Sequence, residues 1–248
     1  MAVHHWKTLA APDIPALMAK NPVAILPMGA FEQHGPHLPF ATDSLLAESL
    51  VDYALEQLSG PISVIRLPLL PLGDSIEHHA FAGTLSLEPN TLQAVAYECG
   101  ASFAAAGGRR LVFFSGHGGN KAGLDIAATR LRRDFGLQVA SVCYFDWPIP
   151  ESLLPAAVRQ YDLHGGAIET ALMRYFMPDL VRDAAVSDWQ PNATAALLNG
   201  QLAWMAEDLC AAGVAGNATL GTSELGEQLA ARYAMALNQL IIEMADLQ

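Results

Sequence analysis

Short apolar runs alternate with amphipathic stretches along this chain, and that alternation limits its fold more than any other property of the sequence. Val23-Ala-Ile-Leu-Pro-Met28 is a compact apolar run consistent with a buried strand, and Ser44 to Leu58 carries Leu46, Leu50, Val51, Ala54, Leu55 and Leu58 at helical spacing. The order then repeats: a strand at Ser63–Leu67, a helix over Thr91–Ala106, a strand at Arg110–Phe114, a helix over Asn120–Asp134 and a strand at Leu137–Phe145. Further helices are expected at Ala167–Met177, Ala193–Ala211 and Ser223–Ala245. Strands separated by helices pair through crossovers, so the expected fold is α/β, with a mainly parallel sheet covered by helices on both faces. No repeat, low-complexity tract or linker divides the 248 residues, and one domain over 1–248 is expected.

Composition narrows the classes. With 52% apolar and 15% charged residues, disorder and an extended charged coil are excluded. Twenty-five acidic against 13 basic residues, a net charge of −12, argue against a nucleic-acid or anionic-membrane surface. The acidity serves solubility, or else some of the carboxylates bind cations. The best membrane candidate, Ala94 to Gly107, contains Glu98 and falls short of the ~18 apolar residues a span needs. Met1-Ala-Val-His-His-Trp-Lys7 lacks the apolar core of a signal peptide, so a cytoplasmic location is expected. Cys99, Cys143 and Cys210 are odd in number and far apart, as suits small buried hydrophobes better than disulfides or a metal site.

Six of the eight histidines fall in four Gly-rich segments: Gly29-Ala-Phe-Glu-Gln-His-Gly-Pro-His37, Gly73-Asp-Ser-Ile-Glu-His-His79, Gly116-His-Gly-Gly-Asn120 and His164-Gly-Gly-Ala-Ile-Glu169. Three of the four follow expected strands, and open α/β sheets bind ligands in the crevice beyond the carboxyl ends of their strands. Glu32 and His34, two apart, leave an extended segment on the same side. With Asp43 they form a mixed O/N donor set suited to Zn²⁺, Mn²⁺ or Fe²⁺. Locally, Asp43 reads equally as a helix cap and His34 as a satisfied turn residue. His117, set among glycines after an apolar strand, is either a ligand or an exposed loop histidine, and Glu169 either a ligand or a complement to a helix dipole. Five ligands with three carboxylates would compensate two divalent cations, and a binuclear site bridged by a carboxylate and a hydroxide is a general arrangement for hydrolysis. His164, outside that set, is then the natural proton shuttle.

Other chemistries lack their motifs. Ser115-Gly-His-Gly-Gly119 superficially suggests an oxyanion loop, yet the chain has no Gly-x-Ser-x-Gly elbow. Gly29-Ala-Phe-Glu-Gln-His-Gly35 does not have dinucleotide-binding spacing, and no P-loop is present. A non-catalytic metal or small-molecule binding protein stays open, although it would need no acid–base histidine.

Leu26-Pro-Met-Gly-Ala-Phe-Glu-Gln-His-Gly-Pro-His-Leu-Pro-Phe-Ala-Thr-Asp43 closely resembles the signature of the creatininase (creatinine amidohydrolase) family. Gly73 to Thr84, Ser115 to Asn120, His164 to Thr170, and Gly213-Val-Ala-Gly-Asn217 with Gly226 resemble its remaining blocks, in family order. The resemblance implies a three-layer α/β/α sandwich, a homo-oligomer that is usually a hexamer, and two divalent metal ions per subunit. It also implies hydrolysis of amide-type C–N bonds in small molecules. Carried over residue by residue, Glu32, His34, Asp43 and His117 match metal ligands, with Asp43 as the bridge, and His164 matches the catalytic histidine. Creatinine-hydrolysing members carry a further glutamate ligand two residues after the His117 position, where this chain has Gly119; Glu169, in a matching block, is expected to replace it. Glu77 and His78 match a motif near the substrate pocket, and Trp147 is a candidate to line it, though an aromatic after a strand often packs instead.

The tryptophans around the ring in creatinine-specific members are not matched before His164, where Gln160-Tyr-Asp-Leu163 stands. The expected activity is thus that of a creatininase-like amidohydrolase whose substrate need not be creatinine. The family alternatives are a peptidase trimming a modified peptide and an N-formyl pyrimidine-nucleotide deformylase. Only Arg66, Arg109 and Arg110 lie near the motifs, which disfavours a phosphorylated substrate.

Overall fold

The structure, a computed structural model, describes residues 2–191 and 203–247. Five strands form one all-parallel sheet in the order β1-β3-β2-β4-β5: β1 (Ala2–His5), β2 (Val23–Met28), β3 (Ser63–Arg66), β4 (Arg110–Ser115) and β5 (Gln138–Cys143). The central strands β2 and β4 pair from Val23↔Arg110 to Met28↔Ser115 and are buried along their whole length. Pro27 is tolerated there because it lies past the end of β3; its carbonyl accepts from Leu70 N at 3.0 Å.

Burial on both faces follows from alternation within the strands. Val23, Ile25, Val64, Val112 and Phe114 point into one core with helices α1 (Thr42–Gln57), α4 (Ala167–Phe176) and α5 (Ser223–Asp246). Ala24, Leu26, Met28, Ile65, Leu111 and Phe113 point into the other, with α2 (Pro89–Ala105) and α3 (Lys121–Phe135). The result is the expected three-layer α/β/α architecture with a mainly parallel sheet. A small antiparallel pair, β6 (Asp188–Trp189) and β7 (Gly216–Asn217), lies apart from it.

The differences from the sequence reading have local causes. β1 was not expected: its His4 and His5 break the apolar signal, and a half-buried edge strand needs little of it. The strand expected to reach Phe145 stops at Cys143, where Tyr144–Asp146 tightens into a 3₁₀ turn. The helix expected over Ala193–Ala211 falls largely on 192–202, outside the described residues; after them only Ala206–Leu209 is helical. The three cysteines are free. Among the described residues no helix is long and apolar enough to cross a membrane.

Candidate functional site

The carboxyl ends of β2, β3 and β4 open on one edge of the sheet, and the His-bearing loops meet there. The loop after β2 is pinned by Glu32 N donating to Phe40 O (3.0 Å) and Gln33 N to Thr84 Oγ1 (3.2 Å), which turns Glu32 and His34 inward together. Asp43 enters from the first turn of α1. It caps nothing: the helix has no side-chain cap, and Asp43 Oδ2 is buried without a hydrogen-bond donor. His117 is buried rather than exposed, and Ser115 Oγ accepts from its backbone N–H (3.1 Å). Glu169 sits in the first turn of α4, where it accepts from Gly165 N at 2.5 Å. The cap of α4 is Asp162, which accepts from Ala167 N (2.6 Å) and Ile168 N (2.9 Å).

Asp43 sets one oxygen beside each of two histidines. His34 Nδ1 lies 3.1 Å from the Glu32 carbonyl, an acceptor only, so that nitrogen carries the hydrogen. His34 Nε2 then faces Asp43 Oδ1 at 3.3 Å and Glu169 Oε1 at 3.4 Å. On the other side, Asp43 Oδ2 is 3.5 Å from His117 Nδ1, and His117 Nε2, which donates to the Asp74 carbonyl at 2.7 Å, is 3.2 Å from Glu32 Oε2. The donor atoms of His34, Asp43 and Glu169 lie within 4.8 Å of one another, as do those of Glu32, Glu77 and His117, and of Glu32, His34 and His164. This combination of neutral nitrogen and carboxylate oxygen is what Zn²⁺ and Mn²⁺ bind.

Glu32 Oε1 and Oε2, His34 Nε2 and Asp43 Oδ2 are all buried without a hydrogen-bond partner. Such atoms are costly unless a cation compensates them. Burial pushes the Glu32 carboxyl well above the usual carboxylate range, against the pull of His117. Burial also opposes charge on His34 and His117, yet the carboxylates win: Asp43 and Glu169 hold His34 well above its ordinary value, and Glu32, Asp43 and Glu77 raise His117 to about 9. For Glu169, burial is outweighed by His34, and the carboxyl falls to about 2. Protons on two imidazoles therefore balance the carboxylates in the space where cations fit.

His164 differs. Its Nε2–H donates to the Gln33 carbonyl at 2.6 Å, leaving Nδ1 free of a proton and 3.5 Å from Glu32 Oε1. Burial, with His34 nearby, pushes its pKa down to about 3. His78 has both nitrogens engaged: Gln33 Nε2 donates to Nδ1 (2.9 Å), and Nε2 faces Glu32 Oε1 (3.2 Å).

A cavity of about 760 Å³ opens on the cluster, lined by Asp43, Glu77, His78, His117, His164 and Glu169, with Ile76, Phe145, Leu163 and Trp204 as its apolar wall. Trp147 is not on this wall; it packs behind it, 6.0 Å from the Phe114 ring and 6.3 Å from Tyr233. Phe145 and Trp204, which sequence reasoning missed, take that place. Trp204 carries no signal beyond being aromatic. His79 is exposed. Glu169 lies with His34, not beside Gly119.

A family model described as creatininase, creatinine amidohydrolase, matches residues 7–241. The chain is 32% identical over 221 residues to a mycofactocin precursor peptide peptidase of Mycolicibacterium smegmatis, covering 84% of this chain and 79% of that one. It is 33% identical over 202 residues to a creatinine amidohydrolase of Pseudomonas putida, covering 75% of each. A point mutant of creatininase complexed with creatine superposes with a TM-score of 0.83 at 26% identity, over 99% of this chain and 100% of that one. A zinc–zinc form has a TM-score of 0.83 (26% identity, 100% of each chain), and a manganese creatininase one of 0.80 (26% identity, 99% and 100%).

Proposed function

The chain belongs to the creatininase family, hydrolases acting on carbon–nitrogen bonds, and from that premise we propose that it is a single-domain, metal-dependent amidohydrolase cleaving a linear or cyclic amide. The observation that carries this reading is the position of Asp43, whose two oxygens face His34 and His117 on opposite sides at 3.3 and 3.5 Å. His34, Asp43 and Glu169 would hold one divalent cation, and Glu32, Asp43 and His117 a second, with Asp43 shared. Bound there, such ions supply a water of lowered pKa and polarise the scissile carbonyl.

The rest of the chemistry falls to the chain's own groups. His164 is a neutral imidazole with its Nε2–H tied to Gln33, so Nδ1 can take a proton from the water nucleophile and deliver it to the departing nitrogen. Gln33 also anchors His78, donating to both His78 Nδ1 and the Gly213 carbonyl (2.6 Å), and His78 steadies Glu32. Ile76, Phe145, Leu163 and Trp204 give one side of the cleft an apolar lining.

The openness of this cleft favours a second reading within the family, a peptidase. A cavity of about 760 Å³ exceeds the needs of a creatinine-sized ring, and the partly exposed Ile76 and Leu163 suit an apolar side chain of a peptide. A phosphorylated substrate finds less support. Arg66 is engaged with Glu48 (2.6 Å) and Asp52 (2.9 Å), Arg109 and Arg110 lie at the opposite end of β4, and Lys121 in the cavity wall is paired with Asp146. We further propose a homo-oligomer, with a hexamer as the family expectation, measurable by light scattering.

The test is hydrolysis of a panel of cyclic ureides, N-formyl compounds and short peptides by protein of known metal content, before and after chelation. Activity is expected to vanish on chelation and return with Zn²⁺ or Mn²⁺. His164→Ala is expected to keep its metal and lose at least ~100-fold in turnover, the scale of general acid–base catalysis. Full activity after exhaustive chelation refutes the metal-dependent reading, and a metal-free His164→Ala protein would make that residue a ligand.

A further inference from the structure

The carboxylate beside Gly119 comes from a distant segment. A Cβ added at Gly119 would lie 2.4 Å from the Asp74 carbonyl oxygen, 2.5 Å from His117 Nε2 and 2.9 Å from Glu77 Oε1. Position 119 is therefore closed to any side chain, and the Glu77 carboxylate occupies the space into which one would grow. Glu77 is carried by the 3₁₀ turn Ile76–His78, beyond β3 and far from 119 in sequence. Its Oε1 is 3.5 Å from His117 Nε2, and its donor atom lies within 4.8 Å of those of both Glu32 and His117. Glu32 Oε2, fully buried and without a hydrogen-bond partner, faces the same His117 nitrogen at 3.2 Å. Glu169, expected from sequence to make good the absent residue at 119, is 3.4 Å from His34 and belongs to the other cluster.

We propose that Glu77 is a metal ligand, supplying to the cation held by Glu32 and His117 the carboxylate that Gly119 cannot. This rests on the reading of the site as a two-cation centre. With Glu77 included, Glu32, Asp43, Glu77 and Glu169 bring four negative charges to two dications, and each cation has carboxylates of its own besides the shared Asp43. Glu77 is also the donor nearest solvent, its side chain 18% exposed against 6% for His117 and none for Glu32. Both clusters border the cavity, and on this assignment the Glu77 carboxylate belongs to the metal rather than to the substrate.

Metal-free protein titrated calorimetrically with Mn²⁺, and followed by electron paramagnetic resonance, tests this without reference to turnover. Wild type is expected to take up two equivalents and show a spin-coupled pair. Glu77→Gln is expected to keep the first equivalent unchanged, bind the second at least tenfold more weakly and show an isolated Mn²⁺ signal at one equivalent. Glu77→Asp, which keeps the charge, is expected to fall between them and gives a second reading should the glutamine variant fold poorly. Asp74→Asn removes a carboxylate from the same wall outside the proposed ligand set and is expected to bind both equivalents as wild type does. Two equivalents at wild-type affinity in Glu77→Gln or Glu77→Asp, or an equal loss in Asp74→Asn, overturns the assignment. Failure of wild type to bind two equivalents instead refutes the two-cation reading beneath it.

Discussion

Substituting Gly116 by alanine probes how the loop after β4 is pressed against the helix that carries Asp43. The added Cβ would lie 2.3 Å from the Asp43 carbonyl oxygen and 3.0 Å from Ala47 Cβ, whereas ordinary contact begins at 3.4 Å. The backbone of the first turn of α1 must therefore retreat by about 1.1 Å, the difference between 3.4 and 2.3 Å. Asp43 moves with it, disturbing its contacts to His34 and His117, while metal–ligand distances tolerate only about ±0.2 Å. Overpacking of this kind costs about 1–3 kcal/mol, which in a chain of this size lowers the melting temperature by roughly 2–12 °C. A misplacement of ~1 Å at reacting groups costs on the order of 100-fold in turnover. Calorimetric melting and metal titration read both effects. Gly118→Ala is the control two residues away: nothing lies within 4 Å of its added Cβ. It is expected to melt within about 0.5 kcal/mol of wild type and bind metal normally. Wild-type metal binding and melting in Gly116→Ala, or equal damage from Gly118→Ala, would refute the reasoning.

Two further outcomes follow from the same geometry. Asp162→Ala removes both hydrogen bonds that cap α4 and is expected to cost about 0.5–2 kcal/mol in thermal or urea unfolding; an unchanged midpoint contradicts the capping role. In the metal-free protein His34 is held well above its ordinary value and His117 at about 9, so at neutral pH both carry protons that a cation must displace. Affinity should then rise with pH up to about 9, and calorimetry in buffers of differing ionisation enthalpy should detect proton release; pH-independent affinity contradicts the arrangement.

Much of the fold is legible in the sequence because β2, and β4 from Leu111 to Phe114, are buried on both faces and apolar, with glycines and helices to punctuate them. The edge strand β1 is not, since Ala2-Val-His-His5 is half-buried and pairs through its backbone. The segments that build the site are legible for a related reason. The parallel topology delivers His34, His78, His117 and His164 to one edge, while His37 stacks on Trp189 and His79 is exposed. Individual neighbours are less so. Asp43 reads locally as a cap, and only the fold shows its oxygens turned inward between two histidines. Trp147 and Phe145, two residues apart after β5, differ in nothing the sequence records, yet one packs on Phe114 and the other lines the cavity. The contact of Glu77 with Gly119 and His117 joins loops from two strands, and no local pattern encodes it.

The central claim is that one carboxylate, Asp43, holds two divalent cations at once. Elemental analysis of purified wild type and Asp43→Asn, each reconstituted with Zn²⁺ or Mn²⁺ and freed of loose metal, tests it most directly. The account predicts two ions per chain in wild type and less than one in a folded Asp43→Asn protein, with amide hydrolysis lost in step. Two ions per chain retained by Asp43→Asn would contradict it.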